Sequence, residues 1–307
     1  MKHIAWYRHL IKAISSKALH AGLILFLGGC PAEAFLPPLT AADTYLDVGY
    51  AVPPPGVAAT ALMLDLYVPS GSTAAPLVVF VHGGGWKNGD KRAGGPGHQQ
   101  AILGAGFAFA SVNYRLLEDG PPDVGSADIA IALAFLQNHS TDYGLDTSRI
   151  ALMGHSAGAH LAALVALDAQ YLAGAGVPRE AIRAVALLDG AGYDIVRQME
   201  AGNAALYREV FGTDPVYMAR MSPLTYARAT PAPAFILHHI EGRAVSREQS
   251  EALAAALVSA GNVATTHEAL NETHASINRG FGAEGDVTTA LTVAFLQQHL
   301  AQTASLK

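Results

Sequence analysis

Gly154-His155-Ser156-Ala157-Gly158 decides how this chain is read. It follows the apolar run Ile150-Ala151-Leu152-Met153 and precedes a helix-like run over residues 159–167. An apolar strand, then G-x-S-x-G, then a helix describes a sharp turn with the serine at its apex. Strand and helix backbones nearly touch across such a turn, so only Gly fits on either side of the serine. The strained turn lifts the hydroxyl clear of the sheet edge, which makes Ser156 the candidate nucleophile. An ordinary glycine-rich turn would satisfy the same five residues, so other features must decide.

Two features do. Upstream, Leu77-Val78-Val79-Phe80-Val81 is wholly apolar, as a buried parallel strand requires, and it leads into His82-Gly83-Gly84-Gly85-Trp86. Glycines leave their N–H groups unobstructed. An N–H of Gly83 or Gly84, together with that of Ala157, would form an oxyanion hole. Downstream, His274 lies in a polar loop over 271–282, ahead of a last helix-like run over 287–300. It is the candidate general base.

The chain has 307 residues, with 19 basic and 25 acidic residues and a formal net charge of −6. No basic run is interleaved with aromatics, so nucleic acid is not an expected partner. No internal repeat and no metal-spaced Cys/His cluster occurs, and neither a metal nor another cofactor is expected.

Residues 1–29 read as a signal segment. Lys2, Arg8, Lys12 and Lys17 form a basic start, and residues 18–27 an apolar stretch too short to span a bilayer. Leu27-Gly28-Gly29-Cys30 resembles a bacterial lipobox. That resemblance implies cleavage before Cys30, acylation of its thiol and tethering to a membrane of the cell envelope. Cys30 is the one Cys of the chain, so no internal disulfide can form. A plain secretory cut near Ala32 or Ala34 is the alternative. Removing residues 1–29 takes away those four basic residues and no acidic one, leaving a formal −10. Pro31, in place of the Asp that the resemblance would associate with inner-membrane retention, points to the outer membrane.

The Pro-rich residues 30–43 read as a linker and 44–307 as one catalytic domain. Strands are expected at 45–50, 61–68, 77–81, 107–114, 150–153, 184–188, 235–240 and 264–270. Helices are expected at 97–104, 126–138, 159–167, 247–260 and 287–300. This alternation predicts an α/β fold, a mostly parallel eight-stranded sheet with helices on both faces. Between about 190 and 233 the pattern breaks into an aromatic- and Met-rich insert, read as a small cap after the sixth strand.

These motifs, with Asn113-Tyr114-Arg115, Asp146-x-x-Arg149-Ile150 and Thr273-His274, resemble the α/β-hydrolase serine esterases of the hormone-sensitive-lipase and feruloyl-esterase-like carboxylesterase branch. The resemblance spans about residues 60–300. It implies an acyl-enzyme mechanism with Ser156 as nucleophile and His274 as base. His82-Gly83-Gly84 with Trp86, and Gly154-His155-Ser156-Ala157-Gly158-Ala159-His160-Leu161, also look like arylformamidases.

The resemblance places the acid, an Asp, after the seventh strand and a few residues before a Gln-Ser pair. Counting back from Gln249-Ser250, that position holds Gly242, and Glu241 lies one residue earlier. Three readings stay open. Glu241 is the acid; or the acid has moved to the end of the sixth strand, at Asp189 or Asp194; or there is none. Glu241 is the expectation carried forward. His82, His238, His239 and His267 are expected to be structural. His155 is expected to point away from the nucleophile, and Asp128 to hold either Arg115 or the loop by Asn113. Trp86 either walls the pocket or anchors its loop.

The function expected is hydrolysis of small to medium uncharged esters. The alternatives are an arylformamidase or amidase, and a degenerate hydrolase fold serving as an envelope binding lipoprotein.

Overall fold

A computed structural model describes residues 41–201, 204–228 and 231–301. The signal segment, Cys30 and nearly all of the expected linker lie outside the described residues. None of the described helices is long and apolar enough to cross a membrane.

Eight strands form one sheet: β1 (Ala42–Gly49), β2 (Met63–Pro69), β3 (Ala75–Val81), β4 (Ala108–Val112), β5 (Leu145–His155), β6 (Ile182–Leu188), β7 (Ala234–Ile240) and β8 (Ala264–Ala269). Their order is β1-β2-β4-β3-β5-β6-β7-β8. Pairing is antiparallel at β1/β2 and β2/β4 and parallel elsewhere. The expected linker ends too late: Ala42 and Asp43 already pair with Pro69 and Val68. The elbow strand is also longer than its apolar heart, because the polar lead-in from Leu145 pairs with Ala75 and Pro76.

The central strands are buried on both faces. Leu77, Val79 and Val81 enter one core, while Val78 and Phe80 enter the other. Helices α1 (Pro96–Gly104), α2 (Pro122–Asn138), the short α3 (Ser140–Tyr143), α4 (Ala157–Leu167) and α5 (Ala169–Ala175) follow in turn. Every residue of α4 is buried, as in a helix apolar all round. In α2 the expected stripe of Ile129, Leu133 and Leu136 faces inward, and Asp128 is salt-bridged to Arg115 at 2.6 Å.

After β6 come α6 (Ile195–Ala201), α7 (Ala204–Phe211) and α8 (Pro215–Arg220). They form the expected cap, and most of its aromatic and Met side chains pack inward. Tyr193, Phe211, Met218 and Met221 are buried. Helix α9 (Ala244–Ser259) covers β7 and β8 on the α4 side; α10 (Ser276–Arg279) is a single turn; α11 (Val287–Leu300) sits with α1 on the other face. Five helix-containing crossovers, from β3 through to β8, bring loop ends together at the carboxyl edge of the parallel strands, where open α/β sheets bind ligands.

Candidate active site

Ser156 has φ 56° and ψ −121°, a left-handed backbone that costs about 1–3 kcal/mol for a non-glycine residue. The surrounding packing imposes it. A Cβ at Gly154 would sit 2.4 Å from the carbonyl O of Gly158, and one at Gly158 would sit 2.1 Å from that of Val81. Neither position admits a side chain, so the turn stays closed with Ser156 at its tip. The Ser156 N–H donates to the carbonyl of Leu188 at 3.0 Å, tying the apex to the end of β6.

His274 hangs from the loop between β8 and α10. Its Nε2 lies 2.9 Å from Ser156 Oγ, and its Nδ1 lies 2.6 Å from Asp189 Oδ2. Ser156, His274 and Asp189 thus form one hydrogen-bonded chain. With Nδ1–H donating to the carboxylate, Nε2 is left to accept the serine proton.

The structure therefore corrects the expectation of Glu241 as the acid. Glu241 is exposed, at the end of β7, and its side chain has no hydrogen-bond partner among the described residues. Asp194 does not reach His274 either; its carboxylate accepts from the N–H of Arg197 in the first turn of α6. Asp189, the first residue after β6, is fully buried. The backbone is again left-handed here, with φ 43°, a conformation that Asp adopts more readily than most residues. Burial alone would raise this carboxyl. Hydrogen bonding to His274, the Arg243 charge and the Ser246 hydroxyl outweigh it and hold the group down at about 2.

Two residues around the acid escaped the sequence reading. Arg243, one residue beyond the vacated acid position, sets a single guanidinium nitrogen 2.6 Å from Asp189 Oδ2, 3.1 Å from the Asp189 carbonyl and 2.9 Å from His274 Nδ1. Ser246 Oγ donates to Asp189 Oδ1 at 2.5 Å and contacts the Gly190 carbonyl at 2.8 Å. The loop after β7 thus still serves the triad, with a cation that holds the acid in place of an acid. The sequence signal was a cation, Arg243, directly after the vacated acid position at Gly242, and it does not announce a clamp.

His155 does not simply point away. Its Nε2–H donates to the His274 carbonyl at 2.7 Å, and the two rings lie 4.7 Å apart. Burial, then the His274 ring, lower it to about 4, so it is neutral and available as a donor. His82 is structural: buried, stacked on Tyr114 at 4.4 Å, with Nδ1 against the Gly83 carbonyl. Trp86 anchors its loop through Nε1–H to His160 Nδ1 at 3.2 Å and through ring contacts with Tyr207 and Phe211 of α7 at 5.3 and 4.9 Å. It also borders the pocket, so both expected roles are met. His238 and His267 face each other across β7 and β8 at 3.1 Å, and His239 is buried on β7.

Gly83 abuts Ser156: a Cβ there would lie 3.0 Å from the serine Cβ. Gly84 is held at φ +124°. The Ala157 N–H opens α4 and, as a first-turn donor, has no acceptor within its helix. Gly84, Ala157, Ser156 and His274 line one cavity of about 510 Å³, walled also by Trp86, Leu206 and Tyr207.

The family model described as BD-FAE matches residues 64–257, a span that holds Ser156 and Asp189 and ends before His274. Esterase LipQ of Mycobacterium tuberculosis is 30% identical over 210 residues, covering 65% of this chain and 50% of that protein. The isoprenylcysteine alpha-carbonyl methylesterase ICME of Arabidopsis thaliana is 35% identical over 159 residues, covering 48% of this chain and 36% of that protein. The chain thus spans half or less of the length of these curated relatives. A truncated carbohydrate esterase from gut microbiota superposes with a TM-score of 0.73 at 20% identity, covering 86% of this chain and 98% of the other. Esterase B from Lactobacillus rhamnosis superposes at 0.69 with 23% identity, covering 84% and 87%. The topology and these superpositions give the α/β-hydrolase fold, and by the span matched the chain belongs to the BD-FAE family.

Proposed function

We propose that the protein is a serine carboxylesterase acting on small to medium esters. The observation that carries this reading is the unbroken chain from Ser156 through His274 to Asp189 at the floor of a cavity of about 510 Å³. In the reaction, Ser156 Oγ attacks the ester carbonyl while His274 Nε2 takes its proton. The oxyanion is met by N–H groups of Gly83 or Gly84 and of Ala157, one such donor lowering the barrier by about 3–4 kcal/mol. His274 returns the proton to the leaving alcohol. Water then repeats the sequence on the acyl-enzyme, and Asp189 stabilises the imidazolium in both halves.

The degenerate-fold alternative drew its support from Gly242 in the usual acid position, and Asp189 removes that support. Names of relatives such as esterase LipQ point the same way. Lipid anchoring through Cys30 in the cell envelope is part of the proposal; Cys30→Ala should release the protein from the membrane fraction, and unchanged partition would remove it. For the activity, the full chain should hydrolyse p-nitrophenyl butyrate and be labelled by a fluorophosphonate, and Ser156→Ala should lose both. Turnover that survives in Ser156→Ala would exclude the serine mechanism.

A further inference from the structure

The cavity above Ser156 is charged with one sign. Two charged side chains line it, Arg243 and Arg279, and no carboxylate does so among the described residues. Asp189 lies beneath, fully buried, its oxygens taken by His274, Ser246 and Arg243. Arg279, the last residue of α10, is exposed, and no carboxylate pairs with it among the described residues. In a chain with a formal net charge of −6, a reaction cavity that gathers two guanidinium groups and excludes acids is a local reversal of sign. Trp86, Leu206 and Tyr207 give the cavity an apolar stretch of wall.

We propose that the physiological ester carries a negative charge of its own, a carboxylate in the acyl or the alcohol portion, held by Arg279 with Arg243 behind it. This rests on the esterase reading above. A guanidinium presents parallel N–H donors that match a carboxylate in bidentate fashion. A cationic cleft also raises the local concentration of anionic substrate. Arg243 already gives one nitrogen to Asp189, so Arg279 is the free cation and sets the preference. The substrate is accordingly amphipathic, with an apolar part along the Trp86 wall and an anionic end at α10, in place of the uncharged ester expected from the sequence.

The test uses the full chain and two matched pairs. Monomethyl adipate against methyl hexanoate puts the charge on the acyl side; 4-carboxyphenyl butyrate against 4-carbamoylphenyl butyrate puts it on the alcohol side. In at least one pair the anionic ester should be preferred about tenfold in kcat/KM, chiefly through KM, and the preference should shrink in 0.5 M salt. Arg279→Gln should remove it, and Arg279→Glu should reverse it, with thermal unfolding reporting that the variants remain folded. Turnover of neutral esters with no anionic preference in either pair, or a preference that Arg279→Gln leaves intact, would overturn the subsite alone. Absence of turnover for all four esters would overturn the esterase reading and the subsite with it.

Discussion

Asp189 Oδ2 lies 2.6 Å from His274 Nδ1, although the two residues are separated by two strands of the sheet in sequence. Asp189 leaves the end of β6 and is held at φ 43°; His274 leaves the end of β8. The strand between them, β7, ends at Ile240 and would ordinarily deliver the acid. Moving the acid one strand inward brings it next to the serine's own strand, since β6 pairs with β5. Its depth costs desolvation, which Arg243 and Ser246 offset.

Arg243 should therefore act through the acid. Replacing it with Gln leaves a buried carboxylate with one fewer partner, and kcat for p-nitrophenyl butyrate should fall about tenfold, or about 1.4 kcal/mol of barrier. Since a neutral ester gains nothing from the cation, KM should change little. Arg243→Lys should recover only part of the loss, because an ammonium cannot reproduce the planar fork. A rise in KM with unchanged kcat would show that Arg243 binds substrate and does not position the acid.

His155 should also matter to kcat, for a different reason. It holds the His274 backbone through one hydrogen bond of 2.7 Å, and misplacement of a base by a fraction of an ångström lowers kcat by about 10- to 100-fold. His155→Ala is expected in that range with the unfolding midpoint little changed. Steady-state kinetics and circular dichroism on one preparation separate the two effects. Full kcat in His155→Ala would remove the positioning role.

Stability should decline as the solution is acidified below neutrality. His98, His155, His160 and His238 are lowered to about 3, 4, 4 and 3, in each case chiefly by burial. A histidine whose folded value lies below the ordinary 6.5 keeps its full contribution above 6.5. That contribution is lost as pH falls from 6.5 toward the folded value, because the unfolded chain takes protons that the fold refuses. Each such group gives a slope of about 1.4 kcal/mol per pH unit in that window. Asp189 adds a second loss below the usual carboxylate range, between 3.8 and about 2. His98 is the most dispensable of the four. It stacks 4.6 Å from Phe281 and meets Phe80 in a tilted contact at 4.7 Å, and its Nε2 is buried with no partner among the described residues. Urea midpoints between pH 7.5 and 4.5 should fall less steeply in His98→Phe than in the unaltered chain. Equal slopes would mean that His98 takes up its proton in the folded state.

Most of the architecture was legible because parallel strands must be apolar on both faces, and residues 77–81, 150–153 and 184–188 are. The elbow was legible because Gly154 and Gly158 have no alternative to glycine at 2.4 and 2.1 Å from neighbouring carbonyls. The acid was not. Glu241 stands one residue from the usual position and Asp189 sits at a strand end, and nothing local separates them. Burial and the reach of Arg243 and Ser246 decide the matter, and these are long-range facts. His155 was misread because its direction depends on where the His274 loop passes, 119 residues later.

The most direct test is the rate of p-nitrophenyl butyrate hydrolysis by the full chain, beside Asp189→Asn and Glu241→Gln. The account predicts a fall of about 10⁴ in kcat for Asp189→Asn, the usual cost of losing the triad acid, and a rate within about twofold of the unaltered chain for Glu241→Gln. The opposite ranking would contradict it.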